Sequence, residues 1–128
     1  MQHSIWKMYS TIRNGLLTRK KSVLHPHKAI CIDVLKVMYK EGYINGFRKL
    51  SGQSDKIEIF FKYNNGNPAI TKLSALSKPS CRLYVRVESL WKLNTSLQTL
   101  IISTPRGIFS DKECRKLHLG GEILCVLQ

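Results

Sequence analysis

Apolar residues Ile5, Met8, Tyr9, Ile12 and Leu16 recur every three to four positions, the spacing that gathers side chains on one face of an α-helix. Lys7, Arg13 and Asn14 fall away from that stripe, so the helix presents a basic, polar face. Val23 and Leu24 predict a short strand, and His25-Pro26-His27-Lys28 reads as the entry to a second helix, because proline suits a first helical turn. Ile30, Val34, Val37, Met38 and Glu41 carry a second helical pattern, closed by Gly42.

The period then changes. Residues 43–50 read as a strand broken by Gly46, and residues 56–63 alternate around Ile57, Ile59 and Phe61, with hairpin composition between them over 51–55. This first part is an α/β/α/β/β unit. Residues 64–68 predict a turn, 69–73 a third strand, and 74–80 a polar linker. Beyond it Arg82, Tyr84 and Arg86 share one face of an alternating strand, with Leu83, Val85 and Val87 on the other.

Residues 97–102 are apolar and rich in branched side chains, which predicts a buried strand, and the chain turns sharply over 103–107. Ser110 and Glu113 form a capping box, so a helix of about two turns begins at Asp111. Gly120 and Gly121 offer the left-handed geometry that ends helices, with Lys116 near the negative end of the dipole. The expected fold class is α+β: two small packed domains, 1–73 and 81–128, joined by the linker 74–80, the second mainly β with one short helix.

Charge gives this framework a direction. The chain has 21 Lys+Arg against 8 Asp+Glu, a net charge of +13, and a field of that sign attracts polyanions, of which nucleic acid is the commonest inside cells. Residues 1–50 hold +8 of it, with no acid before Asp33, and residues 51–128 hold +5. An anionic membrane is the competing polyanion, but no segment is long and apolar enough to span a bilayer, and nucleic acid rather than membrane is the expected partner.

Candidate chemistry is sparse apart from two polar clusters. Cys31, Cys81, Cys114 and Cys125 contain no CxxC pair, and Cys114 with His118 has ligand spacing on a helix but no second ligand pair, so no metal is expected. Carboxylate clusters, a Gly-rich cofactor loop and a His/Cys nucleophile arrangement are all missing, which argues against an enzyme, a cofactor and a small-molecule substrate. The turn Ser103-Thr104-Pro105-Arg106-Gly107 offers two hydroxyls, backbone amides and a guanidinium, a set that suits a phosphate or ribose edge. An ordinary polar turn has the same composition. Arg82 and Tyr84 interleave a cation with a ring that can stack on a base, although a solvated strand face looks alike.

The order of these pieces resembles the bacterial-type small ribosomal subunit protein S-eight family. Its C-terminal signature is a Ser-Thr-Ser-Lys/Arg-Gly loop, a short helix and a Gly-Gly-Glu-Leu-Leu-Cys strand. This chain has residues 103–107, then Ser110-Asp111-Lys112-Glu113-Cys114-Arg115, then Gly120-Gly121-Glu122-Ile123-Leu124-Cys125. Lys78-Pro79 with Arg82-Leu83-Tyr84, Glu41-Gly42-Tyr43-Ile44 and Thr11-Ile12-Arg13-Asn14-Gly15 extend the resemblance over nearly the whole chain. Since residues 11–15 then belong to the folded domain, no long removable presequence is expected ahead of them.

The resemblance implies a structural, non-catalytic protein that binds the central domain of small-subunit rRNA beside neighbouring small-subunit proteins and supports assembly and translation. By matching motif the implied RNA-binding residues are the loop Ser103, Thr104, Pro105, Arg106 and Gly107, the turn Gly121 and Glu122, and the strand pair Arg82 and Tyr84. Arg13, Asn14 and Lys28 would add contacts from the N-terminal domain. Pro105 replaces a serine of the loop, Ser80 and His118 stand at usual glycines, and Leu127-Gln128 replaces an aromatic tail. These departures point to a diverged organellar copy in a mitochondrial ribosome, with a plastid or bacterial ribosome as the alternative. A stand-alone RNA-binding translational regulator and an RNA-processing factor are the competing functions.

Overall fold

The first helical stripe is buried as its spacing predicts: α1 (Gln2–Leu17) carries Ile5, Met8, Tyr9 and Ile12 inward and packs along strand β1 (Ser22–Pro26). The computed structural model describes residues 2–50, 52, 55–76, 82–86, 88–89 and 98–128. They fall into two compact units, Met1–Thr71 and Lys72–Gln128.

In the first unit α2 (Ala29–Lys40) buries Cys31, Val34, Leu35, Val37 and Met38 and packs on β2 (Ile44–Leu50). Its N-cap is Lys28, so Pro26 does not open the helix as the sequence suggests. Pro26 instead ends β1, paired with Lys56 on an edge of the sheet where a residue without an N–H is tolerated. The sheet order is β1-β3-β2, with β3 (Lys56–Phe61) central and Ile57, Ile59 and Phe61 buried at alternate positions. A bulge between Ile44 and Gly46 interrupts β2, and Asn45 Nδ2 donates to Phe61 O at 3.2 Å there.

Strands β4 (Tyr63–Asn64) and β5 (Asn67–Pro68) form a tight hairpin around Asn65 and Gly66, both at positive φ, 53° and 82°. The expected strand over 69–73 is not formed. Pairing back onto Tyr63 and Asn64 consumes the chain up to Pro68, and the next strand, β6 (Leu73–Ala75), starts only at Leu73. Ser74 and Ala75, read as the start of a linker, pair with Val126 and Cys125. Residues 77–80 of that linker lie outside the described residues.

The second unit is a sheet ordered β6-β10-β8-β9, with β7 (Tyr84–Val85) also on β10 (Gly121–Leu127). β8 (Thr99–Thr104) and β9 (Gly107–Ser110) form its hairpin, and α3 (Asp111–Leu117) follows directly. Leu100, Ile102 and Cys114 make the core beneath α3, joined by Val85, Phe109, Ile123 and Val126. Tyr84 points outward as expected, but Leu83, placed on the inward face by alternation, is 39% exposed. Val87 and residue 97, which open or close expected strands, lie outside the described residues.

The capping box is present in its main bond: the Ser110 hydroxyl accepts from Glu113 N at 3.3 Å. The helix does not end at the glycines. His118 takes the left-handed conformation (φ 54°, ψ 47°), and Leu119 N donates to Cys114 O at 2.9 Å. Gly121 is thereby left for a different task at the start of β10.

Candidate nucleic-acid interface

Four residues line up across the second sheet. Tyr84 on β7 pairs with Glu122 on β10, Glu122 with Ser103 on β8, and Ser103 with Ile108 on β9. Partners directly opposite one another in antiparallel strands project to the same face, and alternation puts this row opposite the side covered by α3. Arg82, two residues before Tyr84, reaches the row from solvent, its Nη1 3.9 Å from Glu122 Oε1.

Gly121 sets the closeness of β10 to β8. A Cβ at this position would lie 2.0 Å from Ser103 O and 3.2 Å from Thr104 Cα, so only a hydrogen fits. The neighbouring Glu122–Ser103 pair is therefore held by backbone against backbone, a rigid mount for two polar side chains.

Glu122 is the unusual member. The residue is 9% exposed, and its Oε2 is buried without a hydrogen-bond partner among the described residues. Arg82 is too distant for a direct hydrogen bond to Oε1 and gives only a partly solvated ion pair. A buried acceptor left without a donor costs about 1–3 kcal/mol, more if charged. With no surface open to solvent, Oε2 meets an incoming amine or hydroxyl only when the Glu122 side chain turns outward.

The hairpin tip beside Ser103 is organised from within. Thr104 Oγ1 donates to Gly107 O at 2.7 Å and accepts from Arg106 N at 3.2 Å, so this hydroxyl closes the corner. Pro105 occupies the bend, where its fixed φ is an advantage, and Gly107 has φ 133°. Pro105, Arg106 and Gly107 are exposed, which leaves the Arg106 guanidinium at the tip as the charged group.

Behind the tip a carboxylate absent from the sequence-derived candidates supports the strand. Asp111 is fully buried; its Oδ1 accepts from Leu100 N at 3.4 Å and its Oδ2 from Arg115 Nη2 at 3.0 Å. It ties α3 to β8. Nothing in the sequence separates this acid from an ordinary first-turn helix acid, since its partner Leu100 lies on another strand. Cys114, one turn further, is a core thiol whose pKa burial, helped by Asp111 and Glu113, pushes up to about 11. His118 is exposed while Cys114 is buried, so their helical spacing makes no ligand pair. Among the described residues no group of three or more His, Cys, Asp or Glu is placed to hold a metal ion.

The structure thus brings Tyr84, Ser103 and Glu122 into one row, with Arg82 beside it and Gly121 holding β10 close to β8, and puts residues 104–107 at the tip of the adjoining hairpin. Arg13 and Asn14, exposed on α1, and Lys28, exposed at the N-cap of α2, belong to the other unit. No described helix is long and apolar enough to cross a membrane.

Comparison with known proteins adds an independent finding. Residues 3–127 match the family described as ribosomal protein S8. The chain is 38% identical over 127 residues to the small ribosomal subunit protein uS8 of Agrobacterium fabrum, covering 98% of this chain and 96% of the relative. It is 34% identical over 128 residues to the uS8 of an Azoarcus species, covering 99% and 98%. Over 118 residues it is 40% identical to the uS8 of Zymomonas mobilis, covering 91% and 90%.

Proposed function

The chain belongs to the ribosomal protein S8 family, and from that premise we propose that it is a structural constituent of the small ribosomal subunit that holds the central domain of small-subunit rRNA. The observation that carries the reading is the cross-strand row of Tyr84, Glu122 and Ser103, with Arg82 beside it. Folded RNA offers the matching groups: exocyclic amines and ribose hydroxyls that donate, bases that stack, and phosphates for guanidinium groups.

The division of labour follows from these groups. Ser103 and Glu122 exchange hydrogen bonds with bases or riboses and discriminate between RNAs. Tyr84, 70% exposed, stacks, and Arg82 and Arg106 meet phosphates. Backbone at Gly107 and Pro105 shapes the approach, Thr104 and Gly121 hold the mount, and Arg13, Asn14 and Lys28 contribute from the first unit. Neighbouring small-subunit proteins complete its surroundings, and its role is in assembly and translation. Pro105, Ser80, His118 and the tail Leu127-Gln128 favour a mitochondrial ribosome.

Titration of the protein with a transcript of the rRNA central domain, against a scrambled RNA of equal length, tests this. The central-domain transcript binds more tightly at every salt concentration, and Glu122→Gln reduces that preference more than it reduces affinity for scrambled RNA. Equal affinities for the two RNAs would overturn the reading. Recovery of the chain with mitochondrial small subunits tests the location; recovery only with another ribosome would refute it.

A further inference from the structure

A recessed site lies in the first unit. A cavity of about 520 Å³ opens between α1 and β1, walled by Trp6, Lys7, Ser10 and Asn14 from the helix and Leu24 and Pro26 from the strand. Residues 6, 10 and 14 recur at one-turn spacing, so a single helix face lines it. The volume is within the range of small-molecule sites.

Its chemistry is mixed in an informative way. Half-buried Trp6 and the 49% exposed Leu24 supply broad apolar surface, Lys7 is an exposed cation, and Ser10 and Asn14 are exposed hydrogen-bonding groups. Thr11, also on the lining, donates its hydroxyl proton to Lys7 O at 2.8 Å and keeps only acceptor capacity. His25 closes the floor, 3% exposed, with Nε2 3.5 Å from Cys31 Sγ. No carboxylate lines the cavity, and it belongs to the half of the chain with charge +8.

We infer that this groove takes one unpaired nucleotide of RNA, its base against Trp6 and Leu24 and its phosphate on Lys7. A duplex is too wide to enter a cleft between a helix and an edge strand, whereas a splayed-out base is a flat apolar plate with hydrogen-bonding edges. Asn14 offers both a donor and an acceptor to such an edge, and Ser10 adds a hydroxyl. An acidic peptide would satisfy Lys7 but has no plate to fill the apolar walls. The inference rests on the reading of this protein as an RNA binder and adds a site that the C-terminal row does not include.

The test uses the full chain with Trp91→Phe, so that Trp6 is the sole tryptophan, and follows its emission on addition of single-stranded hexauridylate. Saturable quenching is expected, with the Kd raised about fivefold or more by Lys7→Glu and by Leu24→Asp on the opposite wall. Ser103→Ala with Arg106→Ala leaves this quenching unchanged. Absence of quenching in protein that still binds the rRNA central domain would overturn the groove site and leave the proposed function standing. Equal quenching by hexaglutamate would overturn it too, by reducing the effect to charge. Quenching by hexauridylate in protein that does not prefer the central domain would support the groove and count against the C-terminal row.

Discussion

Gly121 and Ser103 are in backbone contact: a methyl group on Gly121 would come within 2.0 Å of the Ser103 carbonyl oxygen. Everything proposed for the row of polar residues depends on that approach, because it fixes Glu122 directly opposite Ser103. Gly121→Ala is therefore expected to force β8 and β10 apart, at a cost of about 1–3 kcal/mol typical of overpacking, and to abolish preference for the central-domain RNA. Chemical denaturation and RNA titration of the same variant check the two effects. Wild-type stability in the Ala variant would show that the contact is not confining.

Two adjacent hydroxyls should behave differently. Thr104 uses its oxygen to bridge Arg106 N and Gly107 O, whereas Ser103 presents its side chain on the row shared with Glu122. Thr104→Val should lower stability by about 1 kcal/mol. Ser103→Ala should leave stability within about 0.5 kcal/mol and weaken binding of the specific RNA alone. Matching stability and binding profiles for the two variants would contradict this separation.

The end of α3 contains a residue in an unfavourable backbone region. His118 has φ 54° with a Cβ that disfavours left-handed geometry, a cost glycine does not bear. His118→Gly should stabilise the fold by about 0.5–1 kcal/mol, after allowance for the greater freedom of glycine in the unfolded chain. A lower unfolding midpoint in the Gly variant would mean that the imidazole makes a compensating interaction.

His25 gives the first unit an acid sensitivity. Burial holds its pKa below the ordinary 6.5, and the charge of Lys7 acts in the same direction, opposed by a hydrogen bond to the backbone of Ser4. As pH falls below 6.5 the unfolded chain takes up this proton before the folded one, so the stability associated with the neutral ring is complete above that pH and declines below it. Unfolding free energies measured from pH 7.5 to 5 should fall on the acid side, and His25→Gln should flatten that fall. An unchanged slope in the Gln variant would remove His25 from the account.

Much of this architecture was legible because its signals are local. The stripe of Ile5, Met8, Tyr9 and Ile12, the alternation of Ile57, Ile59 and Phe61, and the Ser110–Glu113 cap each depend on neighbours a few residues apart, and each is found as expected. The departures arise where a local hairpin signal has the composition of a plain turn and where distant chain decides. Residues 69–73 look like a strand, but Asn65-Gly66 folds the preceding segment back on itself, a hairpin signal that the dipeptide carries. Ser74 and Ala75 look like a linker because their partners, Val126 and Cys125, are about fifty residues away. Motif alone points to the candidate residues of the C-terminal edge; that Thr104 turns inward, that Glu122 Oε2 is buried without a hydrogen-bond partner among the described residues and that Asp111 braces β8 are properties of pairing across strands.

The most direct test of the central claim is the position of the chain in purified small ribosomal subunits, read as ultraviolet crosslinks between its residues and the rRNA. The account predicts crosslinks from Tyr84 and from residues 103–107 to the central domain of the small-subunit rRNA, lost when Gly121→Ala breaks the mount. Crosslinks confined to residues of the first unit, or to rRNA outside the central domain, would contradict it.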